Sequence, residues 1–282
     1  MIVGRGFVGS TEAPRSTLPQ MSIPERERHI IETRLAEYDL SRFAPAFVAS
    51  ARRCLRLSSR RADVAVGRSK VGGDPDLPPG TPWPSCEGRA MTFLAQLDLA
   101  DVASRIESPL PTSGLVSFFF DRSTMSEDNG LVVFTRGLVE RRPAPGERFE
   151  ECAIDFNPTV SVPSVRRGSP HADALGLREL GEDERDALEE WASNLNHWFG
   201  AEEGHQLLGY PHSWRSDVLV QNVVMWREDL ATALEWRNLL AFETDEAAKM
   251  QWADGGHCWF LIEHVALEAG ELERARATVQ LG

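Results

Sequence analysis

Apolar residues first recur at helical spacing in the stretch containing Ile30, Ile31, Leu35 and Tyr38, which share one stripe. Ser22-Ile23-Pro24-Glu25 precedes the stripe in the form of a capping box with proline at the first helical position. A helix is therefore predicted from Ser22. Phe47, Ala51 and Leu55 predict a second helix over 45–55, and the alternation of Ala62-Asp63-Val64-Ala65-Val66 predicts a short strand. Strands are predicted over 91–99 and 114–121, with a short helix over 100–106 between them. A further strand over 131–134 joins the second of these through the turn Asp128-Asn129-Gly130. Residues 141–176 are rich in Pro, Arg and Ser, with Ile154 and 160–165 as edge strands. Leu188, Trp191, Leu195, Trp198 and Phe199 keep helical rhythm and predict a helix over 182–199, its tryptophans acting as core anchors. Residues 218–225 are almost wholly apolar, and their pattern does not choose between helix and strand. Beyond them 228–236 reads as a helix, 239–243 and 257–263 as strands, and 252–256 as the turn between.

Two Gly-Pro corners punctuate this pattern. The first runs Ser69-Lys70-Val71-Gly72-Gly73-Asp74-Pro75 and leads into a proline-rich loop that includes Trp83-Pro84. Proline fixes φ and removes a donor, so residues 69–90 are expected as an irregular cover over other structure. The second corner runs His205-Gln206-Leu207-Leu208-Gly209-Tyr210-Pro211-His212. The segments after the two corners are alike: Leu94-Ala95-Gln96-Leu97-Asp98 answers Leu240-Ala241-Phe242-Glu243, and the segment from Gly114 answers that from Gly256. The order predicts an internal duplication, with halves at about 60–140 and 200–265. The expected fold is α+β: two related antiparallel sheet units in one compact body over 22–282, with added N-terminal helices, behind a flexible leader over 1–21.

The chain of 282 residues carries a net charge of −13, which speaks against a nucleic-acid partner, since phosphate contacts need a basic face. An acidic surface instead suits a basic protein partner. No apolar run reaches the ~18 residues of a membrane span, and 1–21 lacks the apolar core of a signal peptide, so a cytoplasmic location is expected. Cys54, Cys86, Cys152 and Cys258 stand far apart without a C-x-x-C pair, so they are expected as free thiols, not zinc ligands. Only Lys70 and Lys249 are lysines, against 28 arginines, and both fall in the corner-bearing regions. A lysine kept in such a chain fits a site that needs a compact ammonium; chance is the plainer account.

At these segments the chain resembles the YwqG-like family of bacterial proteins. The residues that carry the resemblance are Ser69-Lys70-x-Gly72-Gly73-x-Pro75, Trp83-Pro84, Phe93 to Leu97 and Gly114-Leu115-x-x-Phe118-Phe119 in the first half. In the second half they are His205-x-Leu207-Leu208-Gly209-Tyr210-Pro211-His212, Leu239-Leu240-x-x-Glu243-Thr244-Asp245 and Trp252-x-Asp254-x-Gly256. Ala241 replaces a glutamine, and Ala253 a glycine, of the family pattern. The resemblance spans about 60–265 and implies a mixed α+β fold with duplicated sheets. It implies no established reaction, and some members look like parts of toxin–immunity loci.

Candidate chemistry is sparse. His205, His212, His257 and His264, with Asp254 and Cys258, have metal-ligating groups, but His257 and Cys258 are adjacent on a strand and must face opposite sides. No metal or cofactor is expected. Ser69 beside Lys70, and Cys258 beside His257, lack any completed catalytic motif. Gly72-Gly73 with Lys70 could cradle an anion, but lacks the longer phosphate-loop pattern. Asp98, Glu243, Asp245 and Asp254 occupy matching places in the two halves and could converge, although capping and turn formation also account for them. The resulting expectation is a non-enzymatic binding protein, immunity-like toward a basic toxin domain. The alternative is an enzyme or small-ligand binder with Lys70, Asp98, Glu243, Asp254 and His257 lining a cleft between the halves.

Overall fold

Helix α1 (Glu25–Glu37) buries Ile31 and Leu35, and α2 (Ala44–Ser50) buries Phe47 against it. The structure, a computed structural model, describes residues 22–123, 129–200, 204–213, 216–226, 228–253 and 255–280. The chain continues as β1 (Arg52–Arg61), β2 (Lys70–Val71), β3 (Asp76–Leu77), β4 (Ser85–Cys86), β5 (Arg89–Ala90), β6 (Thr92–Asp98), α3 (Leu99–Arg105), β7 (Leu115–Phe120), β8 (Gly130–Thr135) and β9 (Glu140–Arg141). The second part comprises β10 (Cys152–Ser161), α4 (Pro170–Ala174), α5 (Glu182–Phe199), β11 (His205–Leu208), α6 (Val218–Met225), β12 (Trp236–Phe242), β13 (His257–Glu263), α7 (His264–Ala269) and β14 (Arg276–Gln280).

Ten strands form one antiparallel sheet in the order β14-β13-β12-β11-β1-β10-β2-β6-β7-β8. The two long strands β1 and β10 pair along their whole length at its centre. Strand β11 lies against β1, and β2 against β10, so each long strand has as its second neighbour the short strand that follows the other long strand in the chain. Both the β6–β7 and β12–β13 ladders carry a bulge, at Leu94 and Leu239. The sheet curls until its outer strands nearly meet. Gly130 of β8 has no room for a Cβ beside Ala277 of β14, so glycine permits that approach.

Alternation then decides what lies inside. Leu55, Leu57, Phe118, Phe242 and Phe260 point into the curl and belong to one apolar core. Phe118 packs edge-on to Phe260 at 5.1 Å and to Phe242 at 6.1 Å, contacts worth about 0.5–1.5 kcal/mol each beyond area burial. The outer face is covered in patches. The N-terminal helices and α5 form one cluster with Val160 and Val162, while α6 covers Trp236, Ala241, Trp259 and Leu261 of β12 and β13.

Several elements differ from their sequence expectation for identifiable reasons. Residues 62–66 are not a strand: Val64 N–H donates to Glu151 Oε1 (2.8 Å) and its carbonyl accepts from Arg141 Nη2 (2.7 Å), so side chains replace the ladder. The strand lies earlier, in β1, and the second helix stops at Ser50. β10 is a central strand, not an edge; Pro158 is tolerated because β10 has only β1 beside it there. The capping box at Ser22 is not made, since Pro24 caps α1 with no side-chain bond. Residues 218–225 are helical, with Asp217 accepting from Leu219 N–H (2.9 Å) and Val220 N–H (3.1 Å). The helix expected over 228–236 is a tighter 3-10 segment, Leu230–Glu235. The expected leader, 1–21, lies outside the described residues.

Candidate functional site

Strand alternation turns Arg56 outward between the inward Leu55 and Leu57, and His257 outward beside the inward Cys258. Glu243 follows β12 at the same end of the sheet. These three side chains floor a cleft of about 460 Å³ on the outer face of the curl. Its walls are α5 (Ser193, Asn196), the end of β10 and the segment after it (Ser161, Pro163) and the end of the second corner (Pro211, His212). The volume falls within the ~300–1,000 Å³ of small-molecule sites.

Arg56 is 5% exposed. Its Nη1 donates to Gly204 O and to Glu243 Oε1, both at 3.2 Å, and Gly204 N–H donates to Glu243 Oε2 at 3.3 Å. Arg56 Nε is buried and has no hydrogen-bond partner among the described residues. His257 stacks on Trp259 with centroids 5.4 Å apart. Burial lowers the His257 pKa; Glu243 opposes that shift and the Arg56 charge adds to it, which favours the neutral imidazole at neutral pH.

Lys70, by contrast, is fully buried away from this cleft. Its Nζ donates to Asp74 O and to Glu151 Oε2 (3.1 Å) and lies 3.9 Å from Asp76 Oδ1. Asp76 is closed in turn by Arg141 Nε (2.9 Å), Gln96 Nε2 (2.6 Å) and Gly67 N–H (2.8 Å). Burial lowers the Lys70 pKa, against the pull of Asp76 and Glu151. The set pins the 62–77 loop to the sheet. Gly72 (φ +64°) and Gly73 (φ +72°) bring that loop against Glu150 and Glu151, where a Cβ does not fit.

The other sequence candidates are dispersed. Asp98 caps α3 through Ala100 N–H (3.1 Å) and pairs with Arg68 (3.0 Å). Asp245 accepts from His205 Nε2 (3.2 Å), Ser59 Oγ (2.5 Å) and Ala248 N–H (2.9 Å). Burial pushes its pKa up, but these hydrogen bonds outweigh burial and hold it at about 2. His205 Nδ1 accepts from Glu243 N–H (3.1 Å), so its proton is on Nε2, toward Asp245. Asp254 lies outside the described residues. The five side chains expected to share one cleft therefore do not all do so: Glu243 and His257 meet, while Lys70 and Asp98 lie elsewhere, because one is enclosed and the other is committed to a helix end.

The corner motifs have structural partners. Tyr210 O–H donates to Ser50 O (2.8 Å), and Gly209 (φ +75°) packs against Ser161 and Cys54. Trp83 Nε1 donates to Met91 O (3.0 Å), Pro75 O accepts from Arg142 N–H (2.9 Å), Trp252 packs edge-on to Phe120 at 5.6 Å, and Gly256 N–H donates to Trp252 O (2.7 Å). Among the described residues no three His, Cys, Asp or Glu side chains form a metal-holding group. No helix among them is long and apolar enough to cross a membrane. Arg56 is the floor residue that sequence reasoning missed. Its signal was the apolar-charged-apolar triplet Leu55-Arg56-Leu57, concealed by the predicted helix over 45–55.

A comparison with curated proteins finds no match. Residues 69–280 match the family model described as a domain of unknown function, DUF1963, which takes in both corners, Glu243 and His257 and leaves out Arg56. The match covers most of the chain, and the protein belongs to this family.

Proposed function

We propose that the chain is a binding protein that seats a small polar ligand in the cleft floored by Arg56, Glu243 and His257. The observation that carries this reading is a buried guanidinium lining a cavity with an unpaired donor. Buried charge without its full set of partners destabilises a fold, and a ligand that supplies the missing partner offsets that cost. The test is mass spectrometry of small molecules retained by protein purified from its own cells, comparing wild type with Ser193→Trp. Ser193 is exposed on the cleft wall, so tryptophan there plugs the cleft without touching its floor. A species retained by wild type and lost from the variant supports the reading. No retained species, and no polar metabolite that raises the melting temperature, defeats it.

A second reading rests on charge. With a net charge of −13, the protein exposes Glu182, Asp183, Asp186, Glu189 and Glu190 on α5. This supports a cytoplasmic protein that inhibits a basic toxin domain in the manner of an immunity protein, as the YwqG-like resemblance suggests. Affinity purification at low salt should then yield one stoichiometric basic partner that dissociates as salt rises. Recovery of none counts against it.

We also infer that the two halves descend from one duplicated unit. The exchanged neighbours of β1 and β10 and the bulges at Leu94 and Leu239 support this. The unlike placement of α3 after β6 and α7 after β13 is the divergence it requires. A crystal structure in which the β2-β6-β7-β8 and β11-β12-β13-β14 units fail to superpose would remove the inference.

A further inference from the structure

We infer that the ligand of the Arg56 cleft is a small monocarboxylate bearing a hydroxyl or amino group, held side-on by Arg56; this rests on the cleft reading above. A guanidinium offers five N–H donors in a planar fork. In Arg56 the Nη1 donors are taken by Gly204 O and Glu243 Oε1. Neither Nε nor Nη2 bonds to a described residue. The edge formed by Nε and Nη2 presents two parallel N–H bonds, the arrangement that matches both oxygens of one carboxylate. Lysine cannot reproduce it.

The remaining lining selects among oxyanions. Arg56 and Arg166 bring two positive charges to the cleft, and Glu189, Asp217 and Glu243 bring three negative ones. A dianion such as phosphate therefore meets more repulsion there than a single carboxylate does. Glu243, which accepts from the neighbouring Nη1 at 3.2 Å, is an acceptor beside the guanidinium and favours a ligand that carries a donor next to its carboxylate. Nε is out of reach of solvent in this structure, so side-on binding requires the guanidinium to shift toward the cleft.

The direct probe is NMR of the arginine Nε–H resonances of the full chain, titrated with lactate, acetate and inorganic phosphate. Loss of one resonance in Arg56→Lys assigns the Arg56 signal. That variant keeps the charge beside Glu243, and a thermal melt checks that it folds. Lactate should move the Arg56 signal and bind more tightly than acetate or phosphate. Arg56→Lys should weaken lactate by roughly tenfold or more, the loss expected when a charge-assisted pair is reduced to a point charge. Ser193→Trp should abolish the response. If lactate binds and Ser193→Trp blocks it while the Arg56 signal stays still, or if phosphate binds more tightly, the carboxylate inference falls and the cleft reading stands. If no carboxylate binds, the inference falls alone when a retained metabolite is found, and together with the cleft reading when none is.

Discussion

The two Gly-Pro corners solve one backbone problem with opposite chemistry. Each turns on two successive residues of positive φ, Gly72 and Gly73 in one and Leu208 (+63°) and Gly209 in the other. At each, a buried side chain donates to the carbonyl four residues on: Lys70 to Asp74 O, and Gln206 to Tyr210 O (2.8 Å). In the first corner the donor is charged and enclosed by Asp76, Glu151 and Gln96, with Arg141 completing the set. In the second the donor is a neutral amide, and the cation sits one strand over, where Arg56 is in register with Gln206. Lys70 is locked, whereas Arg56 is partly unpaired at a cavity. Burial of a charge therefore does not by itself mark a functional site; what matters is whether its partners are complete.

The largest effect should come from opening the closed set. Asp76→Ala removes the acceptor of Arg141 Nε, Gln96 Nε2 and Gly67 N–H, together with a carboxylate 3.9 Å from the buried Lys70 ammonium, and should cost about 3–5 kcal/mol in urea unfolding. A cost under about 1 kcal/mol would mean that the first corner is as loosely paired as the second, and the contrast would be lost. Next is Gly72→Ala, which forces a side chain into the left-handed region and against Glu150 O; about 2 kcal/mol or more is expected.

A third effect is smaller and belongs to the second corner. Asp245 has a pKa near 2, against 3.8 for an unperturbed aspartate. A depressed carboxyl stabilises the fold fully above the unfolded value and loses that contribution as pH falls through the folded value. About 2 kcal/mol should therefore disappear between about pH 4 and pH 2. Asp245→Asn should reduce that part of the slope when stability is measured across the window. An unchanged slope would show that the His205–Asp245 contact does not couple to folding.

Periodicity revealed the parts of the fold that bury one face. The stripe Leu188, Trp191, Leu195 and Phe199 is the buried face of α5, and the segments from Gly114 and Gly256 became β7 and β13. The central strands were less legible. β1 follows directly on α2, and β10 carries Asp155, Asn157 and Pro158, so local propensity argued against the longest ladder in the molecule. Of the site, Glu243 was found because it closes a strand, and His257 because it is one of four histidines near the second corner and the last strong strand. Arg56 was not, since one of 28 arginines becomes distinctive only when its strand buries it and its Nε is left without a partner among the described residues. Lys70 was conspicuous by rarity, yet rarity points equally to a closed structural set.

The smallest expected effect is also the sharpest test of the contrast. Arg56→Met keeps much of the buried stem and removes an unmet donor together with a charge that Glu243 only partly offsets. Glu243 retains Gly204 N–H and, being more exposed, solvent. The lost ion pair and the relieved Nε should nearly cancel, so the stability change should stay within about 1 kcal/mol. In the first corner the corresponding change, Lys70→Met, leaves Arg141 as the one cation paired with Asp76 and Glu151 among the described residues and should cost clearly more in the same unfolding assay. Equal costs would mean that Arg56 is as structural as Lys70, and the cleft would lose its claim to a ligand. A near-neutral Arg56→Met beside a costly Lys70→Met is the pattern of one corner held for folding and the other left open for binding.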